Sequence, residues 1–305
     1  MRKIVYAALA TLVLVGCGGG GGGSSAQPAT DNSSPLVNLG NREATLADLA
    51  GSYAPEKMTV SIADAKKEYS GMNVFGSVLR IVDDPKQPYL LQIVKTSDMP
   101  KVIYSICDIT DFTSSTLRIS CIGEDEEQTA SFDYENDTLT IRANIEGTAT
   151  ETYEWKKSDF FSPNLDKLER ARKQYLSLER LAGKTITANY HYLTDKTENI
   201  TLGAKPFVRD IDFSVDDPIY AGLAGTTDKG EIVFCADMKD APSIGLSYEY
   251  VCAWDNILGS QEALIFNLGQ DGEISGGYEY ALSSQNIFLE ALKHFDAKLT
   301  DSFLH

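Results

Sequence analysis

Two Asp-Asp-Pro segments hold the side chains most able to do chemistry in this 305-residue chain. Asp83 and Asp84 form the first carboxylate pair, Asp216 and Asp217 form the second, and a proline follows each pair. Paired carboxylates can act in acid–base catalysis or bind calcium through oxygen. An Asp before Pro is also a common turn, because Asp hydrogen-bonds its own backbone and Pro restricts φ. The turn is the favoured interpretation, and the four aspartates stay weak metal or catalytic candidates.

Other polar clusters do not match the spacing of a catalytic or metal site. Residues 133–137 begin like a calcium loop but lack its Gly at position six and its acid at position twelve. His191, His294 and His305 have no metal-ligand spacing, and the G-x-S-x-G hydrolase motif is absent from the sequence. The acidic run 124–127 is typical of a solvated loop, or of contact with a cation or a basic protein. We therefore expect no catalytic residue, no cofactor and no enzymatic activity.

Five cysteines occupy positions 17, 107, 121, 235 and 252. An even number after Cys17, in an exported chain, favours disulfides. We predict the pairs Cys107–Cys121 and Cys235–Cys252, because each pair flanks two short strand-like stretches joined by a polar loop. A zinc site is the alternative, although the close C-x₂-C spacing of such sites is missing.

Residues 1–16 are predicted to be a signal peptide. Two basic residues precede an apolar run over residues 4–15, which is shorter than the ~20 residues of a membrane span. The run ends in Leu14-Val15-Gly16-Cys17, which resembles the bacterial lipobox. The resemblance implies cleavage before Cys17 and its lipidation with acyl chains such as palmitate; ordinary cleavage with a free Cys17 is the alternative.

The segment 17–44 reads as a lipidated cysteine and a flexible tether. Six glycines, residues 18–23, precede a stretch rich in small and polar residues that cannot bury a core. In lipoproteins of the kind this start resembles, an Asp after the cysteine favours retention in the inner membrane. Gly18 stands there instead, so we expect anchoring in the outer membrane of a Gram-negative bacterium.

The charge balance limits the partners. The formal net charge is −17 and the isoelectric point is about 4.6. So negative a field argues against nucleic acid and an anionic membrane surface as the main partner. It favours cationic partners, or serves only solubility.

An internal duplication organises the rest of the chain into units 45–177 and 178–305. Leu46-Ala-Asp-Leu-Ala-Gly51 returns as Leu178-Glu-Arg-Leu-Ala-Gly183, and Val-Asp-Asp-Pro returns at an offset of 133. The cysteines repeat at offsets of 128 and 131, and Tyr153-Glu-Trp155 has a looser echo in Tyr278-Glu-Tyr280. We therefore expect two diverged copies of one unit.

The fold class predicted for each unit is mainly β with a few helices: an antiparallel barrel or sandwich closed by a C-terminal helix. Apolar residues alternate with polar ones over most strand-like runs. Ser162-Pro163 starts the first helix, and Ser283 or Ser284 starts the second. The apolar faces of these two helices are Leu165, Leu168, Ala171 and Tyr175 in the first, and Ile287, Ala291, Leu292 and Phe295 in the second.

This layout resembles the lipocalin-like barrel plan. The resemblance rests on an opening Leu-Ala-Gly at residues 49–51 and 181–183, where the family often has Gly followed by an aromatic residue. Tyr53 lies two residues after Gly51, whereas no aromatic residue follows Gly183 directly. No ligand residue of the family can be carried over to this chain.

The sequence therefore predicts a non-enzymatic lipoprotein of the cell envelope that acts as a binding or assembly module. Its partners would be the membrane, through the lipid on Cys17, and a protein or small molecule, without nucleic acid. The alternatives are a carrier of small apolar ligands, an inhibitor of a cationic protein and an envelope hydrolase that uses Asp83 or Asp217.

Overall fold

The computed structural model describes residues 44–62, 65–71, 76–95, 102–124, 126–145, 149–159, 162–192, 194–208, 220–239, 248–255, 261–281 and 295–301. They form two compact units that divide within one helix, between Leu168 and Glu169. The predicted unit boundary, at residues 177/178, falls at the end of that helix.

The described structure is mostly β, with two helices, α1 (Leu46–Leu49) and α2 (Pro163–Leu178). The strands of the first unit are β1 (Gly51–Ile62), β2 (Ala65–Ser70), β3 (Val78–Val82), β4 (Tyr89–Val94), β5 (Ile103–Phe112), β6 (Thr116–Cys121), β7 (Gln128–Glu135), β8 (Thr138–Ile145) and β9 (Ala149–Lys157). Those of the second are β10 (Lys184–Tyr192), β11 (Thr194–Leu202), β12 (Phe207–Val208), β13 (Ala221–Thr227), β14 (Ile232–Asp237), β15 (Tyr250–Asp255), β16 (Gln261–Leu268), β17 (Glu273–Ala281) and β18 (Phe295–Asp301).

The first unit is a closed antiparallel barrel with eight wall positions. Strands β3 to β9 pair in chain order, and β9 pairs back onto β1. One wall position is shared by two short strands: β1 pairs with β3 through Gly51–Tyr53 and with β2 through Lys57–Ile62. We call this unit barrel 1.

The second unit, barrel 2, closes in the same way. β10 pairs with both β11 and β18, and the remaining strands follow in chain order. Here β11 and β12 share one wall position, because both pair with β13. Equal strand number and order in the two units confirm the predicted tandem β architecture.

Each barrel is filled by its own inward side chains. Burial alternates along the strands, as in β7 and β14, because successive side chains point to opposite faces. The largest fully buried side chains are Trp155, Tyr53, Tyr250, Phe132 and Phe266.

The helical turn that precedes the first strand packs against the core of each barrel. In barrel 1, Leu49 of α1 is in the core, and the Tyr53 hydroxyl donates to the Leu49 carbonyl at 2.6 Å. In barrel 2, Leu178 at the end of α2 and Leu181 are in the core. Both turns carry the repeated Leu-x-x-Leu-Ala-Gly, whose closing glycines have positive φ, so the motif joins a helical turn to a strand.

The predicted closing helices need two corrections. The first exists as α2, but its last turn belongs to the core of barrel 2, so it leads into the second repeat. For the second, the sequence predicts Phe295 on a helix, whereas Phe295 is the first residue of β18. Strand pairing with β10 takes precedence there over the helical spacing of apolar residues. The rest of that predicted helix, residues 283–294, lies outside the described residues.

The structural alignment of the repeats also corrects one sequence match. Cys107 and Cys235 lie on the equivalent strands β5 and β14, and their partners lie on β6 and β15. In contrast, Tyr153-Glu-Trp155 lies on the last strand of barrel 1, whereas Tyr278-Glu-Tyr280 lies on the penultimate strand of barrel 2. The looser echo is therefore not a structural equivalence.

Candidate functional site

The described Asp-Asp-Pro segment is a turn between β3 and β4. The Asp84 carboxylate accepts hydrogen bonds from the backbone amides of Lys86 at 2.8 Å and Gln87 at 3.4 Å. Asp84 thus stabilises its own turn, as short polar side chains commonly do. Asp216 and Asp217 lie outside the described residues.

The other polar candidates do not come together as a site. Asp133 forms an ion pair with Arg142 on the outside of barrel 1, and Asp137 accepts a hydrogen bond from Tyr134 at 3.1 Å. His191 lies in β10, while His294 and His305 fall outside the described residues. Within the part of the chain that the structure describes, no three His, Cys, Asp or Glu side chains could hold a metal ion.

The cysteines lie within the barrel walls. Cys107 is opposite Cys121 on neighbouring strands, and Cys235 is opposite Cys252, with both pairs disulfide-bonded. These are the two pairs that the sequence spacing predicts, and no thiol among them is left for nucleophilic catalysis. Cys17 lies outside the described residues.

A layer of buried polar side chains lies in barrel 1 towards the end opposite α1. Gln92 near the end of β4, Gln128 at the start of β7 and Glu151 near the start of β9 all point inward and are at most 3% exposed. The Tyr153 hydroxyl donates to Glu151 Oε2 at 2.6 Å. Burial, and then the Glu151 charge, raise the pKa of Tyr153 well above its ordinary value.

Barrel 2 has a corresponding polar layer that includes a cation. Glu198 and Glu262 point inward and are 2% and 7% exposed. Lys229, in the turn between β13 and β14, reaches Glu198 Oε2 with its Nζ at 2.9 Å. The hydrogen bond to Glu198 raises the pKa of Lys229, and the negative charges of Glu231 and Glu262 raise it further.

These layers are better suited to stabilising the barrel ends than to catalysis. Their carboxylates are almost fully covered, so a substrate could not reach them without the barrel end opening. A buried carboxylate needs a donor or a cation, and Tyr153 and Lys229 supply these in the two barrels. Each barrel therefore has a paired carboxylate in a largely apolar interior, whereas the side-chain amide of Gln92 has no hydrogen-bond partner among the described residues.

The outer wall of barrel 2 exposes large apolar side chains. Ile232 and Phe234 on β14 are 63% and 56% exposed. Phe234 is flanked across the sheet by Ala224 on β13 and Ala253 on β15, and Ala253 is opposite Ala263. We call these five residues the outer strip. On this wall both faces of the sheet are apolar, unlike the alternating pattern of β7.

Sequence reasoning missed both the polar layers and the outer strip, although each had a signal. Glu151 is in phase with Tyr153 and Trp155, so it occupies a core position of its strand. Residues 232–236 are apolar at five consecutive positions, which predicts a strand with two apolar faces.

Comparisons with known proteins give no match for this chain. No family model matches the chain, and neither the curated proteins nor the solved structures contain a significant match. Among the described helices, none is both long and apolar enough to cross a membrane.

Proposed function

We propose that this chain is a non-enzymatic lipoprotein of the cell envelope and that barrel 2 binds a cationic protein through the outer strip. The observation that carries the proposal is the exposure of Ile232 and Phe234 on a barrel wall, where alternation would place polar residues. Lipid on Cys17 and the tether would hold the barrels at the membrane while leaving this wall accessible.

The composition of the outer strip suits a protein partner. An exposed aromatic residue surrounded by small side chains can act as an anchor that fills a pocket on another protein. The Phe234 ring is supported by Phe207, with ring centroids 6.4 Å apart in an edge-on arrangement. This contact restricts the ring before binding, which lowers the entropy cost of association.

The charge of the chain favours a cationic partner. A net charge of −17 attracts basic proteins over a distance set by the ionic strength and repels acidic ones. Asp255 ends β15 beside the outer strip and is exposed, so it adds a local acid at the rim. The same repulsion argues against a second copy of this chain as the partner.

The filled interiors argue against the alternative of a carrier for small apolar ligands. Aromatic side chains such as Trp155, Phe132 and Phe266 occupy the space that a ligand would need. The hydrolase alternative relies on Asp83 or Asp217. Asp83 is exposed in the turn that Asp84 stabilises, Asp217 lies outside the described residues, and the deepest carboxylates are covered, so the described residues offer this alternative no catalytic pair. An inhibitor of a cationic protein is a special case of the proposal.

A photo-crosslinking residue at position 234, expressed in the intact cell envelope, tests the proposal. We expect one discrete adduct to a basic protein, and no adduct when the same residue replaces Thr129, an exposed position on β7 of barrel 1. The purified partner should then bind the wild-type chain, and Phe234→Ser should weaken binding by a factor of ten or more. The matched substitution Thr129→Ser should leave affinity unchanged.

Three results would refute the proposal. Position 234 could give no adduct, could give an adduct only to a second copy of this chain, or could crosslink no more specifically than position 129. Tight binding of the purified partner to the Phe234→Ser chain would also show that the outer strip is not the contact surface.

A further inference from the structure

An open cleft of about 730 Å³ lies in barrel 2. It is located where β10 begins, on the side of the barrel from which α2 enters the fold. Its walls are the turn after α2, the start of β10, the turn between β16 and β17, and the end of β18. The polar lining consists of Arg180, Lys184, Gln270, Asp271 and Thr300, and the glycines Gly269 and Gly272 belong to the turn.

Arg180 is held at the cleft but keeps hydrogen-bonding capacity. Its Nη1 lies 3.4 Å from the Tyr250 hydroxyl, and its Nη2 lies 3.4 Å from the Leu268 carbonyl. The nearest carboxylate, Glu249, is 3.9 Å away and accepts a shorter hydrogen bond, 2.8 Å, from Lys239. Because a guanidinium carries five N–H donors, these two long contacts leave donors for a ligand.

The lining of this cleft contains more cations than acids, although the net charge of the chain is −17. Arg180 and Lys184 line it together with one acid, Asp271, and Glu249 lies 3.9 Å from Arg180 outside the lining. In the first repeat the equivalent positions of the Leu-x-x-Leu-Ala-Gly segment and its following strand are Asp48 and Ser52. The second repeat thus has a pair of cations where the first has none.

The glycine-containing turn shapes one wall of the cleft. Gly272 has a φ of 79°, which side chains rarely allow, and an added Cβ there would lie 3.3 Å from the Leu299 carbonyl oxygen. Glycine therefore lets the turn pack closely against β18. Leu268 and Leu299 add an apolar surface beside the cations.

We propose that this cleft binds the phosphate ester of a small polar alcohol. The planar guanidinium of Arg180 can donate two parallel hydrogen bonds to phosphate oxygens, and Lys184 adds a second positive charge. The volume lies in the range of small-molecule sites and exceeds the needs of a bare anion, so the organic part of the ester has room. Glycerol phosphate, free or as a lipid headgroup, has this chemistry.

Calorimetric titration of the full chain without its signal peptide, using glycerol 3-phosphate, tests the site. We expect saturable binding that the double substitution Arg180→Gln and Lys184→Gln weakens by about tenfold or more. The matched control is Arg142→Gln with Lys156→Gln. It removes an equal number of positive charges from the outside of barrel 1 and should leave the affinity unchanged. Asp271→Asn removes the one acid of the cleft and should strengthen binding by about threefold.

The source of the ester is tested with vesicles. Phosphatidylglycerol in a phosphatidylcholine background is compared with phosphatidylcholine alone, for the wild-type chain and both double variants. Binding that is lost in the Arg180 and Lys184 double variant supports the site. If only glycerol 3-phosphate binds, the natural ligand is a soluble ester. If the phosphatidylglycerol vesicles bind, the natural ligand is a lipid headgroup.

Two results would overturn the inference. One is the absence of binding to both probes. The other is equal weakening in the two double variants, which would assign binding to overall charge. If the cleft double variant does not fold, failure of Asp271→Asn to strengthen binding contradicts the site. Because the outer strip and the cleft have no residue in common, either proposal can fail without the other.

Discussion

At the scale of single residues, the two barrels differ in how their buried carboxylates are paired. Glu198 in barrel 2 is buried and accepts a hydrogen bond from Lys229, whose side chain is 56% exposed. Removing the cation of such a pair is strongly destabilising, because it leaves the covered carboxylate without its ion-pair partner. Glu151 in barrel 1 is equally covered and relies on a tyrosine hydroxyl as a donor. The more charged layer should therefore be the more sensitive to substitution.

Lys229→Met should lower the free energy of unfolding of barrel 2 by about 2–3 kcal/mol at pH 7, because it leaves the Glu198 charge buried without its cation. The hydrogen bond to Glu198 raises the pKa of Lys229, so the stability that this pairing contributes is fully present below about pH 10.5 and is lost as the pH rises through the raised pKa. Urea unfolding at pH 7 measures the difference between the wild type and the variant.

Two further variants control this prediction. Adding Glu198→Gln to Lys229→Met removes the buried charge and should restore most of the stability. Lys66→Met breaks an exposed ion pair with Glu68 and should cost less than about 1 kcal/mol. A double variant that is no more stable than Lys229→Met alone would rule out the buried charge as the cause of the deficit.

At the scale of elements, the short helical turn before each first strand determines how that barrel end is covered. A four-residue helix such as α1 is too short to be stable by itself. It is held by burial of Leu49 and by the hydrogen bond from the Tyr53 hydroxyl to the Leu49 carbonyl. In barrel 2 a different residue has this role, because the Tyr250 hydroxyl lies 3.2 Å from the Ser177 carbonyl.

Tyr53→Phe should therefore destabilise barrel 1 by about 1–2 kcal/mol, because a buried carbonyl loses its donor while packing is kept. Chemical unfolding monitors the loss, and faster amide hydrogen exchange in α1 should accompany it. Tyr69→Phe is the matched control, since Tyr69 belongs to the same core and its hydroxyl makes no hydrogen bond to the residues that the structure describes. Equal effects of the two substitutions would contradict the role of the Tyr53 hydroxyl.

At the scale of the whole molecule, the proposed arrangement is a lipid anchor, a flexible tether and two folded units. The tether composition cannot form a core, so the anchor and the barrels are expected to act independently. Two or more acyl chains on one residue give stable membrane attachment where a single chain binds weakly. Membrane attachment should thus depend on Cys17 and on no residue of the barrels.

Cys17→Ser should abolish incorporation of labelled palmitate and move the chain from the membrane fraction to the soluble fraction of the envelope. The barrels should keep their stability, because Cys17 belongs to a segment whose composition is not expected to pack. The combined substitution Cys107→Ala and Cys121→Ala is the control: it removes a disulfide of barrel 1 but should leave labelling intact. Continued labelling of the Cys17→Ser chain would exclude the lipobox interpretation.

The sequence by itself determined the features that are local or repeated. Alternation of apolar residues predicted strands, Ser162-Pro163 predicted the start of α2, and the spacing of four cysteines predicted two pairs that the structure places opposite each other. These succeed because the signal lies within one strand, one helix turn or one hairpin. The duplication was visible because equal units leave matching residues at nearly constant intervals.

Only the tertiary structure decided which side chains face the same space. Closure of β9 onto β1 makes the sheet a barrel, so the inward face of β9, including Glu151, borders an enclosed interior, a result of pairing between strands almost a hundred residues apart. The cleft of barrel 2 combines the turn after α2 with β18, and Phe295 joins a strand despite helical spacing. Such contacts depend on how strands far apart in the sequence pair and on which side chains they bury. A single sequence shows the apolar and polar residues involved but not which of them come into contact.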